Sequence, residues 1–212
     1  MSVLAIDCSG HVGSLAVVDG DDLLFHREFD CPRGRGTGLF VVLEEAMQSV
    51  TSVHRIVVGI GPGSYNGLRA SIAAAEGAAL ARQMEKVGIL SLIGLDGGPD
   101  FWAAGDARGG TMYLARITGG RLVGEIQVLP TAVAISLVLD AHANLPVLVP
   151  APVDGLPHAR ICHPDARRLA RHGVCAEPVA QIEPFYAKPV HITSPSESKR
   201  PTLAASARKI VA

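Results

Sequence analysis

The stretch VVGIGPGSYNGLRASIAAAEGAALA, residues 57–81, contains the pattern that decides the fold of this chain. A β-branched run ends in a Gly-Pro-Gly turn, and a long segment rich in Ala and Gly follows. Gly61 and Gly63 lack a Cβ atom, so the turn can adopt positive φ and approach a neighbouring segment closely. Ser64 or Asn66 can cap the next helix by accepting from its first N–H groups. The pattern predicts a strand, a tight turn and a helix over residues 67–85.

This turn has two interpretations, because any helix that starts after a Gly-rich turn can hold an anion. Either the turn binds a nucleotide phosphate, or it only sets the direction of the helix that follows. The P-loop signature GxxxxGK[ST] is absent, since the segment contains no Lys, and the dinucleotide fingerprint requires a glycine where Asn66 stands. Asp7 ends the first predicted strand and, with Ser9, could orient phosphates or a metal; its alternative role is to form a strand-end turn. The candidate phosphate loop comprises Asp7, Ser9, Gly61, Gly63, Ser64, Asn66 and Arg69.

The helix after the turn carries small residues at spacings of three and four. They are Ala70, Ala73, Ala74, Gly77, Ala78 and Ala81. Small residues let helix axes come closer than the usual distance of about 8–10 Å. A glycine inside a helix costs about 1 kcal/mol relative to alanine, so Gly77 suggests tight packing. The small-residue face packs either on the chain's own sheet or against a second subunit, and different faces could do both.

The predicted elements follow one plan twice. Three strands open the chain at residues 2–29, and an amphipathic helix, a strand and the small-residue helix follow. A second run of three strands begins after residue 100, and a helix, a strand and another helix succeed it. We therefore predict an α/β fold of duplicated βββαβα lobes over residues 1–91 and 92–193, with a hinge near residues 92–100. Residues 194–212 have the polar, proline-punctuated composition of a mobile tail.

Composition limits the function classes. Hydrophobic residues make up 48% of the 212 residues and charged residues 18%, below the roughly 25% of soluble domains. No apolar run reaches the roughly 18 residues that span a bilayer. The net charge of −1 gives no general attraction to nucleic acid. The low charge indicates either a well-filled core or apolar surface that a partner covers. Without a basic leader or a CxxC pair, we expect free thiols in the cytoplasm.

Several catalytic and metal-binding patterns are missing from the sequence. It contains no HxxxH, HExxH or GxSxG, which leaves helical metal sites and nucleophile-elbow hydrolases unsupported. Cys162, His163, His172 and Cys175 have the spacing C-H-x8-H-x2-C, which differs from known zinc patterns. Basic residues gather after residue 160, either as ordinary surface or as contacts to RNA phosphates. We predict neither a catalytic residue nor a metal site.

Four segments together resemble the TsaB (YeaZ) family of the ASKHA superfamily, which includes actin, Hsp70 and sugar kinases. They are VLAIDCSG with Ser14, VVGIGPGSYNGLR, DARGGTMYLA and EPFYAKPVHIT, and they span roughly residues 2–193. The GPGS…GLR turn is the specific part of the match. The resemblance implies two actin/Hsp70-like, RNase H-like lobes. The positions that match the family pattern are Asp7, Ser9, Gly61 to Arg69, Asp106 to Arg108 and Tyr113.

The resemblance implies a non-catalytic accessory subunit. TsaB-like proteins pair with a TsaD-type transferase and support threonylcarbamoylation of adenosine 37 in tRNAs that read ANN codons (t6A). The resemblance also implies a TsaE-type ATPase and tRNA as further components of the complex. It implies ATP or ADP with Mg at the partner interface, and no tightly bound cofactor. The family pairs through the two helices of its first lobe, here near residues 38–50 and 67–85. The interface residues expected on them are Leu39, Leu43, Met47, Ala70, Ala73, Ala74, Gly77 and Ala81.

Other functions and some departures from the family pattern stay open at this point. The alternatives are an ATP-dependent phosphotransferase that uses Asp7 and a homodimer through the same helices. A peptidase, suggested by older naming in this superfamily, lacks a nucleophile or metal constellation. The segment CPRGRGTGLF replaces a family segment that contains His-Ser, and IGLDGGPD is too short for the usual helix. Tyr65 and Asn66 replace Phe and Thr in the turn.

Overall fold

The computed structural model describes residues 1–31, 37–50, 52–141 and 145–188, so the predicted tail at 194–212 lies outside the described residues. The strands are β1 (Ser2–Asp7), β2 (Val12–Asp19), β3 (Asp22–Asp30), β4 (Arg55–Gly59), β5 (Glu85–Ile89), β6 (Asp100–Asp106), β7 (Thr111–Thr118), β8 (Arg121–Pro130), β9 (Val147–Val149) and β10 (Arg160–Ile161). The helices are α1 (Thr37–Ser49), α2 (Tyr65–Arg82), α3 (Thr131–Ala141) and α4 (Ala166–Gly173), with a short 3-10 helix at Ser91–Gly94.

The two sheets repeat one topology. The first has the order β3-β2-β1-β4-β5 and the second the order β8-β7-β6-β9-β10. In each sheet the first three strands in sequence pair antiparallel, and the remaining two add in parallel on the other side of the first strand. The antiparallel strands are joined by tight turns, whereas the parallel strands need longer crossovers. The predicted two-lobed α/β fold with duplicated lobes is confirmed.

Helix α2 differs from the prediction at both ends. It begins at Tyr65 rather than Gly67, because Ser64 is the N-cap and its hydroxyl accepts from the Gly67 N–H. It ends at Arg82 rather than Glu85, because Gln83 adopts the left-handed conformation with φ of 55° and Glu85 starts β5. A left-handed residue after the last turn is a common helix end. The prediction was therefore wrong by two or three residues at each boundary.

The second lobe departs from the first after its fourth strand. Residues 150–159, between β9 and β10, form turns where the first lobe has α2 between β4 and β5. The two-residue strand β10 was not predicted, because two residues carry no detectable alternation. Helix α4, which follows β10, packs on the first sheet and on the 3-10 helix.

Strand β1 shows why both faces of the first sheet are covered. Val3 and Ala5 face one side and Leu4 and Ile6 the other, and all four are fully buried. Helices α1 and α2 cover the side of Leu4 and Ile6. Helix α4 and apolar side chains of the second lobe cover the opposite side. Because side chains alternate along a strand, this central strand lies in two different apolar clusters.

Arg55, at the start of β4, holds the end of α4. Its Nη1 donates to the carbonyl oxygens of Gly173 (2.7 Å), Val174 (2.8 Å) and Ala176 (2.9 Å). Its Nε and Nη2 donate to Glu85 at 2.9 and 2.6 Å. The last carbonyls of a helix lack intrahelical partners, so a buried guanidinium satisfies them and fixes α4 on β4.

Candidate functional site

The Gly-Pro-Gly turn lies directly on the turn between β1 and β2. A Cβ atom on Gly63 would overlap the Ser9 carbonyl group, and one on Gly67 would overlap the Cys8 carbonyl oxygen. On the preceding strand, a Cβ on Gly59 would overlap the Asp7 carboxylate. The glycines are therefore explained by close approach of two backbone segments of this chain.

Three N–H groups of the Gly-Pro-Gly turn and the start of α2 are bonded inside the chain. Ser64 N–H donates to the Ser9 carbonyl at 2.7 Å, and Gly61 N–H donates to the Ser91 hydroxyl at 2.9 Å. Gly67 N–H donates to the Ser64 hydroxyl at 3.3 Å. A phosphate at a helix N-terminus needs free N–H donors. Because these three donors are engaged, the geometry favours the interpretation that the turn sets the direction of the helix.

Asp7 is completely buried behind the cleft rather than exposed in it. Its Oδ1 accepts from the Ser9 N–H at 2.8 Å and from the Ser9 hydroxyl at 2.6 Å. Burial raises the pKa of the Asp7 carboxyl above its ordinary value, while hydrogen bonds from Ser9 and Ser91 partly oppose that shift. Because Asp7 does not line the cleft, the structure gives no support to its predicted role in orienting phosphates.

A cleft of about 260 Å³ separates the two lobes. The first lobe contributes Ser9, Gly63 and Ser64 from the predicted loop, and the second contributes residues of the DAR segment. The lining residues that carry polar or thiol groups are Ser9, His11, Cys31, Ser64, Ser91, Asp106, Arg108, Tyr113 and Cys162. Of the predicted phosphate loop, Asn66 and Arg69 lie outside the cleft on exposed helix surface, and Gly61 is buried. The structure thus brings together only part of that loop.

The DAR segment forms the second wall of the cleft. The Arg108 N–H donates to the Asp106 carboxylate at 2.7 Å, and Arg108 has a φ of 67°. This bond closes the turn between β6 and β7, and it makes the Asp106 carboxylate an acceptor within its own turn. Burial raises the pKa of the Tyr113 hydroxyl, and the nearby Asp7 charge adds to the effect. Tyr113 is therefore a neutral group at neutral pH.

Ser91 and Cys31 line the cleft but were not singled out from the sequence. Ser91 bonds to Gly61, thirty residues away, because β4 and β5 end side by side. Cys31 comes to the cleft because its N–H donates to the His11 carbonyl at 2.7 Å, next to the first turn. Neither residue belongs to a local motif, so no sequence signal could have found them.

Residues 179–188 form a strap that runs along one flank of α2 and reaches the second lobe. The Ile182 N–H donates to Glu76 on α2 at 2.9 Å, and the Phe185 N–H donates to the Ile60 carbonyl at 2.8 Å. Tyr186 stacks on Tyr65 with 5.2 Å between ring centroids. At its end, Lys188 Nζ donates to the Arg108 carbonyl at 3.1 Å. The strap covers one side of the small-residue helix.

The opposite side of α2 remains exposed. The α2 stripe, as we name it, consists of exposed residues at spacings of three and four: Asn66, Arg69, Ala73, Gly77 and Leu80. Leu80 is 84% exposed, and a Cβ atom built on Gly77 would meet nothing within 4 Å. Of the other predicted interface positions on this helix, Ala81 is exposed and Ala70 is half-buried. Ala74 is buried in the chain's own core, so it was wrongly placed on the interface.

The predicted interface on α1 needs a similar correction. Leu39 and Leu43 are buried in the core beneath the helix, and Met47 is half-buried. The apolar side chains that α1 exposes are Phe40 and Val41, at 55% and 56%. The regular spacing of Leu39, Leu43 and Met47 marked the inward face, because apolar periodicity reports burial within the chain.

The ends of α1 and α2 are joined on the same face of the sheet. The Arg82 guanidinium donates to the Met47 carbonyl at 2.9 Å, near the C-terminus of α1. Both helices pack on the side of Leu4 and Ile6. The exposed residues of the two helices therefore belong to one side of the molecule.

A cluster of Ser14, His26 and Asp165 resembles a hydrolytic triad in composition only. The Ser14 hydroxyl and Asp165 Oδ1 both approach the same imidazole nitrogen, Nε2, at 3.4 and 4.0 Å. A triad requires the carboxylate at the other ring nitrogen. Ser14 is also buried, and its oxygen accepts from the Ala166 N–H at 3.0 Å. The cluster fixes the start of α4 and does not present a nucleophile.

The described residues show neither a metal site nor a membrane segment. Nowhere in residues 1–31, 37–50, 52–141 and 145–188 do three or more His, Cys, Asp or Glu residues come together as a metal site. Cys162 lines the cleft, whereas His172 packs against Gly120 and Cys175 is exposed. Over the same part of the chain, every helix is too short or too polar to span a bilayer.

Comparison with known proteins gives two sequence matches. The family model of TsaD, the tRNA N6-adenosine threonylcarbamoyltransferase, matches residues 39–127. The Escherichia coli (strain K12) protein named tRNA threonylcarbamoyladenosine biosynthesis protein TsaB is 29% identical over 126 residues, 54% of this chain and 54% of that protein. The chain thus spans about half the length of the curated relative it matches.

Two solved structures from Pseudomonas aeruginosa share the fold. One, described as an uncharacterized protein with similarity to peptidase YeaZ, has a TM-score of 0.69 at 23% identity, over 88% of this chain and 99% of that chain. The other, described as YeaZ, has a TM-score of 0.63 at 24% identity, over 82% and 90% of the two chains. These likenesses show that the chain shares the two-lobed α/β fold of the two structures.

Proposed function

We propose that this chain is a non-catalytic accessory subunit that pairs with a TsaD-type transferase in t6A37 formation on tRNA. The support comes from the name of the curated relative, from the matching TsaD family model and from the exposed α2 stripe. The observation that carries the proposal is Gly77, a mid-helix glycine whose missing side chain faces open space.

A glycine in the middle of a helix costs stability, about 1 kcal/mol relative to alanine. Contacts inside the chain explain two nearby glycines. Gly63 and Gly67 lie against the carbonyl groups of Ser9 and Cys8, where a side chain would not fit. Gly77 has no such neighbour. A second polypeptide that lies flush on the α2 stripe explains why the position has no side chain.

The surroundings of Gly77 fit a protein partner. Ala73 and Gly77 make a shallow floor, and the highly exposed Leu80 stands at its end. Phe40 and Val41 add exposed apolar area on α1. Exposed apolar side chains gathered on one side of a soluble protein are typical of interaction sites. Small residues let a partner helix approach more closely than the usual spacing.

The proposal assigns no chemical step to this chain. Asp7 lies outside the cleft lining and the N–H groups of Gly61 and Ser64 are engaged, so neither feature supports a phosphotransferase. We place ATP or ADP with Mg at the interface with the partner, and tRNA and a TsaE-type ATPase on the assembled complex in the cytoplasm. A homodimer through the α2 stripe is the competing assembly, since the same surface would serve either partner.

The test is co-purification with a TsaD-type protein, followed by calorimetry. Gly77→Trp places a bulky ring on the floor of the stripe, and Ala132→Trp places the same ring on the exposed surface of α3. We expect Gly77→Trp to weaken binding at least about 100-fold by steric overlap, and Ala132→Trp to bind like the unaltered chain. Light scattering of the chain alone separates a homodimer from the heterodimer.

Two results would contradict the proposal. One is the lack of a complex at micromolar concentrations when circular dichroism shows both proteins folded. The other is equal binding by the two tryptophan variants, because the partner would then use some other surface. A stable homodimer that Gly77→Trp dissociates, without any binding of the TsaD-type protein, would favour the competing assembly.

A further inference from the structure

The two lobes share a single apolar core. One continuous cluster of buried side chains includes residues of the first sheet, of the second sheet and of α4. From the first sheet come Val3, Ala5, Ala16, Val18, Val57 and Val87; from the second come Phe101, Ala103, Tyr113, Ala115, Ile117 and Leu148; and α4 adds Ala166, Leu169 and Ala170. The lobes are therefore packed together over the side of each sheet that faces the other lobe.

The segment between the lobes belongs to this core. Leu92, Ile93 and Leu95 are all buried in the shared cluster. The predicted hinge near residues 92–100 therefore begins inside packed structure instead of in an exposed linker. A hinge has to absorb large φ/ψ changes, and buried side chains in a close-packed core oppose such changes.

Helix α4 is held at both of its ends, by the first sheet and by the segment between the lobes. At its start, the Asp165 N–H donates to the Gly94 carbonyl at 2.9 Å, and the Ala166 N–H donates to the Ser14 hydroxyl at 3.0 Å. At its end, Gly173 lies so close to Val57 that a Cβ atom would overlap that side chain, and Arg55 bonds the last carbonyls. The bonds to Ser14 and Arg55 thus connect the second half of the sequence to the first sheet, and the bond to Gly94 connects it to the segment between the lobes.

The strap adds a connection on the other side of the cleft. It is bonded to Ile60 in the first lobe and to Arg108 in the second. A movement of the second lobe that widened or narrowed the cleft would have to disrupt the shared cluster or break the bond between the strap and Arg108. Separation of the lobes would also expose apolar side chains that are now almost fully buried, which is unfavourable in water.

We propose that the shared core and α4 lock the two lobes into one rigid, cooperatively folding unit whose cleft has a fixed width. The chain then does not close on a ligand between its lobes. The lock is a property of the chain alone, so its failure would leave the pairing with a TsaD-type protein untouched.

The first test uses Trp102, the single tryptophan, which lies in β6 of the second sheet. Leu4→Ala removes a fully buried side chain from the separate cluster under α1 and α2 in the first lobe. We expect it to lower the thermal midpoint by about 5–15 °C, equally by Trp102 fluorescence and by far-ultraviolet circular dichroism. Val138→Ala, in the second-lobe cluster, should also lower the thermal midpoints of both signals by the same amount.

Separate transitions would overturn the proposal. If Leu4→Ala left the Trp102 midpoint unchanged while circular dichroism showed an earlier transition, the lobes would unfold independently. The same conclusion would follow if Val138→Ala moved only the Trp102 signal. Coincident shifts for both variants support a single cooperative unit.

The second test measures the distance between the lobes directly. Spin labels attached through unnatural side chains at Gln48 on α1 and Val123 on β8, both exposed, report that distance without engaging the native cysteines. We expect one narrow distribution that stays the same when Mg-ATP is added. A second population of distances would overturn the proposed lock. So would a change in the mean distance on addition of Mg-ATP that exceeds the spread of the labels.

Discussion

Ser91 and Gly61 bind each other through two hydrogen bonds. The Gly61 N–H donates to the Ser91 hydroxyl at 2.9 Å, and the Ser91 N–H donates to the Gly61 carbonyl at 2.8 Å. The pair ties the start of the interlobe segment to the Gly-Pro-Gly turn. Ser91 also lies close enough to Asp7 to lower the pKa of that carboxyl, which opposes part of the rise that burial causes.

Ser91→Ala should destabilise the chain by about 1–3 kcal/mol, because the buried Gly61 N–H loses its acceptor. Urea denaturation monitored by circular dichroism measures the change. Ser136→Ala on the exposed surface of α3 is the matched control and should change stability by less than about 0.5 kcal/mol. Equal stability of the two variants would show that the Gly61 N–H finds another partner.

Asp7→Asn should stabilise the chain at neutral pH. The pKa of Asp7 is raised by burial, so the folded state holds the proton more tightly than the unfolded state. Stability from this group is fully present below the ordinary pKa near 3.8 and is lost as the pH rises through the raised value. The unaltered chain should therefore lose stability over that window, and the Asn variant should not.

Thermal midpoints measured from pH 3.5 to 8 check this prediction, with Asp22→Asn at an exposed carboxyl as the control. At pH 7 the Asp7→Asn variant should have the higher thermal midpoint. In a chain of this size, each kcal/mol of added stability raises the midpoint by roughly 2–4 °C. Unchanged pairing with the TsaD-type protein is expected as well, because Asp7 is buried away from the α2 stripe. A loss of stability at pH 7 would mean that the carboxylate is needed by the fold.

Gly77→Ala should move folding stability and partner affinity in opposite directions. In the isolated chain the new methyl group meets nothing within 4 Å, so the helix gains about 1 kcal/mol of stability. In the complex the same methyl group occupies the floor of the stripe, and affinity should fall by about tenfold or more. Denaturation and calorimetry on the same preparation measure the two effects. Higher stability with unchanged affinity would remove Gly77 from the interface.

Arg55→Met should destabilise the chain by about 2–3 kcal/mol, since three carbonyl groups at the end of α4 and Glu85 lose a charged donor. Arg55→Lys keeps the charge but cannot reproduce the forked geometry, so it should recover only part of the loss. Hydrogen exchange of the α4 amides locates the effect. Unaltered protection of α4 in Arg55→Met would show that the helix is held by apolar packing alone.

Local residue patterns predicted much of the fold. Alternation in residues 2–29, the Gly-Pro-Gly turn and the repeated order of elements indicated two α/β lobes, because strand and helix periods are written in neighbouring residues. The start of α2 was misplaced because the sequence left both Ser64 and Asn66 open as the cap, and the structure selects Ser64. The end was misplaced because Gln83 adopts a left-handed conformation, which composition does not show.

The sequence by itself determined that a Gly-rich turn leads into a helix of small residues, and that this chain resembles the TsaB/YeaZ family. Only the tertiary structure decided which side of the helix is free. Ala73 and Ala74 are adjacent and chemically identical, yet one is exposed and the other lies in the core. It also decided that the N–H groups of Ser64 and Gly61 are occupied, by Ser9 and Ser91. The physical reason is that burial and hydrogen bonding depend on residues far apart in sequence, which only the packed sheets and the strap bring together.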